Sequence, residues 1–114
     1  MSSVTTFTDA SLAATLAHTT GVVIVDVWAA WCAPCRAIAP TIESLAQTYQ
    51  GRAVVGKLDF DANPVTAEQY GVRSIPTILF FQDGVEVDRV VGAHPLPVFV
   101  ERLDRVLISA AATV

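Results

Sequence analysis

The chain has 114 residues, of which 53% are hydrophobic and 16% charged, with a formal net charge of −4. That is one domain's length with ample apolar content for a core, which excludes an intrinsically disordered chain. Seven scattered Lys and Arg against eleven Asp and Glu leave no basic face for nucleic acid.

The longest apolar stretch, from Gly21 to Trp31, is too short to span a bilayer and carries Asp26. The opening Met1-Ser2-Ser3-Val4-Thr5-Thr6 has neither the basic nor the apolar region of an export signal. A cytoplasmic location and no membrane association are therefore expected.

Residues 4–7 read as a short strand. A helix starts at Thr8 or Asp9 and runs to about His18, with Leu12 and Leu16 on one face and Gly21 beyond its end. Residues 22–28 are nearly continuous apolar and β-branched, the pattern of a central strand covered on both faces. The stretch Trp31-Cys32-Ala33-Pro34-Cys35 opens a second helix, expected to run to about Tyr49 with a kink at Pro40.

Residues 53–60 form a third strand. Asn63-Pro64 caps a short helix to about Tyr70. Residues 77–81 and 85–91 are strands around Asp83-Gly84, a strong hairpin signal. Asp88 and Arg89 suit an edge position. A last helix spans Pro95 to about Ile108 with Phe99, Leu103, Val106 and Leu107 inward, and residues 109–114 are expected to fray. No repeat or linker divides the chain, so residues 1–114 are expected to form one domain. Strands joined by helices should be parallel, giving an α/β fold, a three-layer α/β/α sandwich.

Cys32 and Cys35 are the only cysteines. Taking 100° per residue, Ile38, Ile42, Leu45 and Tyr49 define an inward stripe centred roughly 40° from Cys35 and roughly 100° from Cys32. Cys35 should thus be largely buried and Cys32 more exposed. Three residues apart at a helix start, the two can reach disulfide distance. Unpaired N–H groups at the helix mouth favour a thiolate at Cys32. The pair then reads as asymmetric: Cys32 attacks a disulfide and Cys35 resolves the mixed disulfide. The rival reading is a zinc site, which would need His18 and His94 to complete it; their spacing suggests none, and no metal is expected. A merely structural pair would not require Trp31 and Pro34 at a helix mouth.

Further segments accompany the motif: residues 25–29 leading into it, Lys57-Leu58-Asp59, Asp61-Ala62-Asn63-Pro64, residues 70–77, and Val91-Gly92-Ala93. On these residues the chain resembles the thioredoxin family over essentially its whole length. The resemblance implies a five-stranded mixed sheet with four helices, and a cis bond before Pro76 that exposes the Ile75 backbone to an extended client peptide. It also implies an apolar client groove made of Trp31, Ala33, Pro34, Ile75, Pro76, Val91, Gly92 and Ala93, while Trp28 is expected to pack in the core beside it.

Asp26 shares a strand face with Ile24 and Trp28, and an Asp is rarely buried there without a partner or a task. The resemblance implies a buried acid exchanging a proton with Cys35, its pKa raised by burial; a hydrogen-bonded core carboxylate is the plainer alternative. Lys57, on the next strand, could tune Asp26 or simply lay its stem along the sheet. His18 and His94 are read as surface residues without a role.

The family usually has glycine at Ala33 and often lysine at Arg36; Ser74 and Phe60 also depart from its common residues. None of these alters the implied chemistry. Together, the residues and the resemblance imply a dithiol–disulfide oxidoreductase that reduces protein disulfides and is recycled by a thioredoxin reductase. NADPH and flavin then belong to that partner, and this chain, expected to be a monomer, binds no cofactor. An oxidant or isomerase, and a non-redox binding module using the same groove, are the other possibilities.

Overall fold

The computed structural model describes residues 2–112. Five strands, β1 (Thr5–Phe7), β2 (Val22–Trp28), β3 (Ala53–Asp59), β4 (Thr77–Gln82) and β5 (Val85–Val91), form one sheet in the order β1-β3-β2-β4-β5. β3 runs parallel to both β1 and β2, while β4 and β5 are antiparallel to their neighbours. The continuous apolar run of β2 thus lies at the centre, where both its faces are covered.

The helices are α1 (Asp9–His18), α2 (Ala33–Ala37), α3 (Ala39–Thr48), α4 (Pro64–Gln69) and α5 (Leu96–Ala112). Two apolar layers form because side chains alternate along β2. Val22 and Ile24 meet Ile42, Leu45, Phe99 and Leu103 of α3 and α5. Val23, Val25 and Val27 meet Phe7, Leu12 and Ala67 on the other face, the side of α1 and α4. The result is the expected three-layer sandwich.

Among the described residues the helix count is five rather than four. The single helix expected from the cysteine motif to Tyr49 is two helices meeting at Ile38. Pro40 has no N–H to donate, so the ladder is interrupted there. The Ile38 N–H donates to the Pro34 carbonyl at 3.2 Å, and the Ile38 carbonyl accepts from Ile42 at 3.0 Å. Ile38 alone separates the two helices, and these two i→i−4 bonds carry the chain across the disturbance expected at Pro40.

The C-terminal tail also differs from expectation. α5 continues to Ala112, so residues 109–112 are helical; residues 113 and 114 lie outside the described range. The expected hairpin is present, with positive φ at both Asp83 (50°) and Gly84 (83°). A Cβ at Gly84 would lie 2.5 Å from the Leu16 carbonyl oxygen, so only glycine fits this close approach.

The starts of α1 and α4 are tied to each other, and only α1 is also capped from its own sequence. Thr8 and Ser11 form a reciprocal capping box at the start of α1. Asn63, read as a side-chain cap for α4, makes no such bond. Its Oδ1 instead accepts the Asp9 N–H at 2.9 Å. The Asp9 carboxylate accepts from the Val65 and Thr66 N–H groups and from the Thr66 hydroxyl, at 3.2, 2.8 and 2.6 Å.

Candidate active site

β2 ends at Trp28 and delivers the chain, through Ala29 to Trp31, onto α2. Cys32 is the N-cap of α2 in extended conformation, with Ala33 and Pro34 exposed in its first turn. Proline is accommodated there because its missing N–H would have no helical partner. Ala33 is helical and absent from the positive-φ residues, so its methyl group fits the turn without strain.

The Cys32 and Cys35 sulfurs are joined as a disulfide, with Cα atoms 5.3 Å apart. The Cys35 N–H points at the Cys32 Sγ, 3.2 Å away, a donor placed to stabilise negative charge on that sulfur. Cys32 Sγ also lies 3.8 Å from the Ile75 carbonyl oxygen. The expected contrast in exposure is not observed: Cys32 is 5% exposed and Cys35 2%. Helix arithmetic counts only the stripe on the helix itself. Ala29 and Ile75, from the loops on either side, pack over Cys32 and bury it.

The two sulfurs nevertheless face different surroundings. Cys35, and not Cys32, lines a cavity of about 190 Å³ together with Asp26, Trp28 and Lys57. Asp26 is 5% exposed, and its Oδ1 has no hydrogen-bond partner among the described residues. Burial raises its pKa to about 7, only partly opposed by the charge of Lys57. The plainer alternative of a hydrogen-bonded core carboxylate therefore lacks support at Oδ1.

Lys57 is the cross-strand register partner of Asp26. No ion pair joins the two among the described residues. The Lys57 ammonium instead sits 5.1 Å from the centre of the half-buried Trp28 ring, a cation–π contact.

The Ile75–Pro76 bond is cis, and Ile75 packs against the cysteine pair. The Gly92 N–H donates to the Pro76 carbonyl at 2.8 Å, and Val91 pairs with Thr77. Val91 and Ala93 are exposed. Trp31 is 66% exposed, and its indole N–H donates to Asp61 at 2.6 Å. Nothing in the sequence pointed to Asp61 as its partner. Arg36, where the family often has lysine, donates to the Ala30 carbonyl at 2.7 Å and so fastens the turn before Trp31.

Comparison with known proteins agrees with this geometry. The family model "Thioredoxin" matches residues 3–105. The chain belongs to the thioredoxin family. It is 47% identical over 97 residues to thioredoxin 2 of Chlorobaculum tepidum, covering 85% of this chain and 89% of that one. It is 53% identical over 85 residues to thioredoxin of Staphylococcus aureus, covering 75% and 82% respectively. As a thioredoxin-family protein with its cysteine pair at disulfide distance, the chain is a protein thiol–disulfide oxidoreductase. Thioredoxins carry this chemistry on the cysteines and bind no cofactor of their own. Among the described residues, no helix is long and apolar enough to cross a membrane, and no cluster of His, Cys, Asp and Glu is placed to hold a metal ion.

Proposed function

We propose that this chain works in the reducing direction, with Cys32 as nucleophile, Cys35 as resolving thiol and Asp26 as the group that takes the Cys35 proton. The observation carrying this assignment is the asymmetry of the pair. Cys32 receives the Cys35 N–H and adjoins the Ile75 carbonyl, while Cys35 opens onto the Asp26 cavity.

The Cys32 thiolate attacks one sulfur of a client disulfide. A Cys32–client bond forms, and the other client sulfur leaves as a thiolate that takes up a proton. The Asp26 carboxylate accepts the Cys35 proton, directly or through water. Cys35 then attacks Cys32 Sγ, forming the intramolecular disulfide and releasing the second client thiolate. The client gains two electrons and two protons, and the dithiol loses them.

An Asp26 pKa of about 7 suits both accepting and returning this proton near neutral pH. Lys57, held over Trp28, tunes Asp26 without neutralising it. Trp31, Ala33, Pro34, Ile75, Pro76, Val91, Gly92 and Ala93 form the client groove. The Ile75 backbone, turned by the cis bond, pairs with an extended client segment. A thioredoxin reductase, a flavoprotein drawing on NADPH, returns the disulfide to the dithiol. A reducing compartment such as the cytoplasm suits this cycle, and a single domain acting as a monomer suffices for it.

The test supplies NADPH and a thioredoxin reductase and follows reduction of a disulfide-bonded protein. Wild type is expected to turn over and Cys32→Ser to be inactive. Equal rates would overturn the reading in favour of a binding module. Equilibration with a glutathione buffer separates reductant from oxidant: a disulfide largely formed under reducing glutathione ratios supports the reductant.

A further inference from the structure

The groove wall made by Val91, Gly92 and Ala93 is the end of an edge strand, since β5 is paired only to β4. A segment of this kind opens readily unless other contacts hold it. Gly92 is held on one side by its N–H to Pro76, and the chain then turns at Gly92 with φ +95°. His94 follows this turn and folds back on it. Its Nε2 lies 2.9 Å from the Val91 carbonyl oxygen. A carbonyl only accepts, so this nitrogen carries the proton. The imidazole also meets the Phe99 ring edge-on, with centroids 6.4 Å apart and planes at 75°. Phe99 is fully buried in the layer beneath α5.

We propose that His94 is a positioning residue for the client groove. It joins the Val91 carbonyl to a fixed core side chain and so holds residues 91–93 at their distance from Pro76. The spacing of these two groove walls then sets how tightly a protein client binds. The inference rests on the groove reading above. Its hydrogen bond and ring contact reach the groove wall and α5, so His94 acts on client affinity rather than on the exchange of sulfurs.

The test measures reductase-coupled reduction of a protein disulfide and of a small dialkyl disulfide, which is too short to span the groove. His94→Ala is expected to raise KM for the protein by about three- to tenfold, the range of one hydrogen bond, with little change in kcat. The ratio of kcat/KM for protein over small disulfide falls by the same factor. His94→Gln, whose amide can donate to the same carbonyl, recovers most of the loss. Thermal unfolding of each variant separates this from a folding defect. A protein KM within twofold of wild type in His94→Ala, or an equal loss on both substrates, overturns the proposal. Val91→Asp is measured in parallel: if it too leaves the protein KM unchanged, the groove reading itself fails.

Discussion

Asp26 and Cys35 open onto one cavity of about 190 Å³, the acid from the central strand and the sulfur from the helix that follows it. The same burial that raises the Asp26 pKa makes stability depend on pH. Between 3.8 and about 7 the folded chain holds a proton that the unfolded chain has released. Unfolding free energy contributed by this group therefore falls as pH rises through that window and is level above it. At about 1.4 kcal/mol per pH unit the full effect is roughly 4 kcal/mol, less what the enlarged cavity of a truncation costs. Asp26→Ala is expected to be more stable than wild type at pH 8 and equal or slightly less stable below pH 4. Denaturant unfolding of the disulfide form at several pH values measures this.

The same substitution tests the proton transfer. Without the carboxylate, Cys35 must lose its proton to solvent. Resolution of a preformed Cys32 mixed disulfide is expected to slow by roughly 10- to 100-fold near pH 7 and to recover at alkaline pH, where the thiol ionises unaided. Stopped-flow release of a labelled thiol reads the rate. A rate unchanged across pH would remove Asp26 from the step.

Trp31 is the most exposed ring beside the disulfide, yet one bond orients it. Asp61→Ala removes the acceptor of the indole N–H and frees the ring. At so exposed a site the bond is worth about 0.5–1 kcal/mol. The protein-client KM is accordingly expected to rise by about two- to fivefold, with a changed Trp31 fluorescence. Asp61→Asn keeps an acceptor oxygen and is expected to restore both.

Asp9 holds two helices at once. Burial pushes its carboxyl up, but the hydroxyl and N–H of Thr66 and the N–H of Val65 more than offset this and leave it below the ordinary value. Its stabilisation is therefore present above the unfolded pKa and lost as pH falls through the lowered one. Asp9→Ala is expected to cost about 1–2 kcal/mol at pH 7, the range of a helix cap, and little at pH 2. Denaturant titration at both pH values checks it, and redox activity should follow the folded fraction.

Features with a local cause were readable in the chain. The run from Val22 to Val27 announced a doubly covered strand, and Asp26 stood out within it as a charge with no surface to reach. Asp83-Gly84 announced its turn. What was not legible depends on residues distant in sequence. The burial of Cys32 comes from Ala29 and Ile75, which no helical wheel of α2 includes. Asn63 looks like a cap for α4, but Asp9, 54 residues away, competes for it and supplies the capping oxygens itself. Asp61 acquires its partner Trp31, 30 residues away, only when two loops meet; His94 reaches Val91, close in sequence, only because the chain turns at Gly92. Pro40 predicted a disturbance; that it divides the helix at Ile38 is seen only in the folded chain.

The direction of attack is the centre of the account, because burial alone does not distinguish the cysteines. Cys35→Ser is incubated in reduced form with a disulfide-bonded protein, and the adduct is mapped by mass spectrometry. The account predicts a stable mixed disulfide at Cys32, and no comparable adduct at Cys35 when Cys32→Ser is treated the same way. Equal trapping by both variants, or trapping only at Cys35, would contradict it.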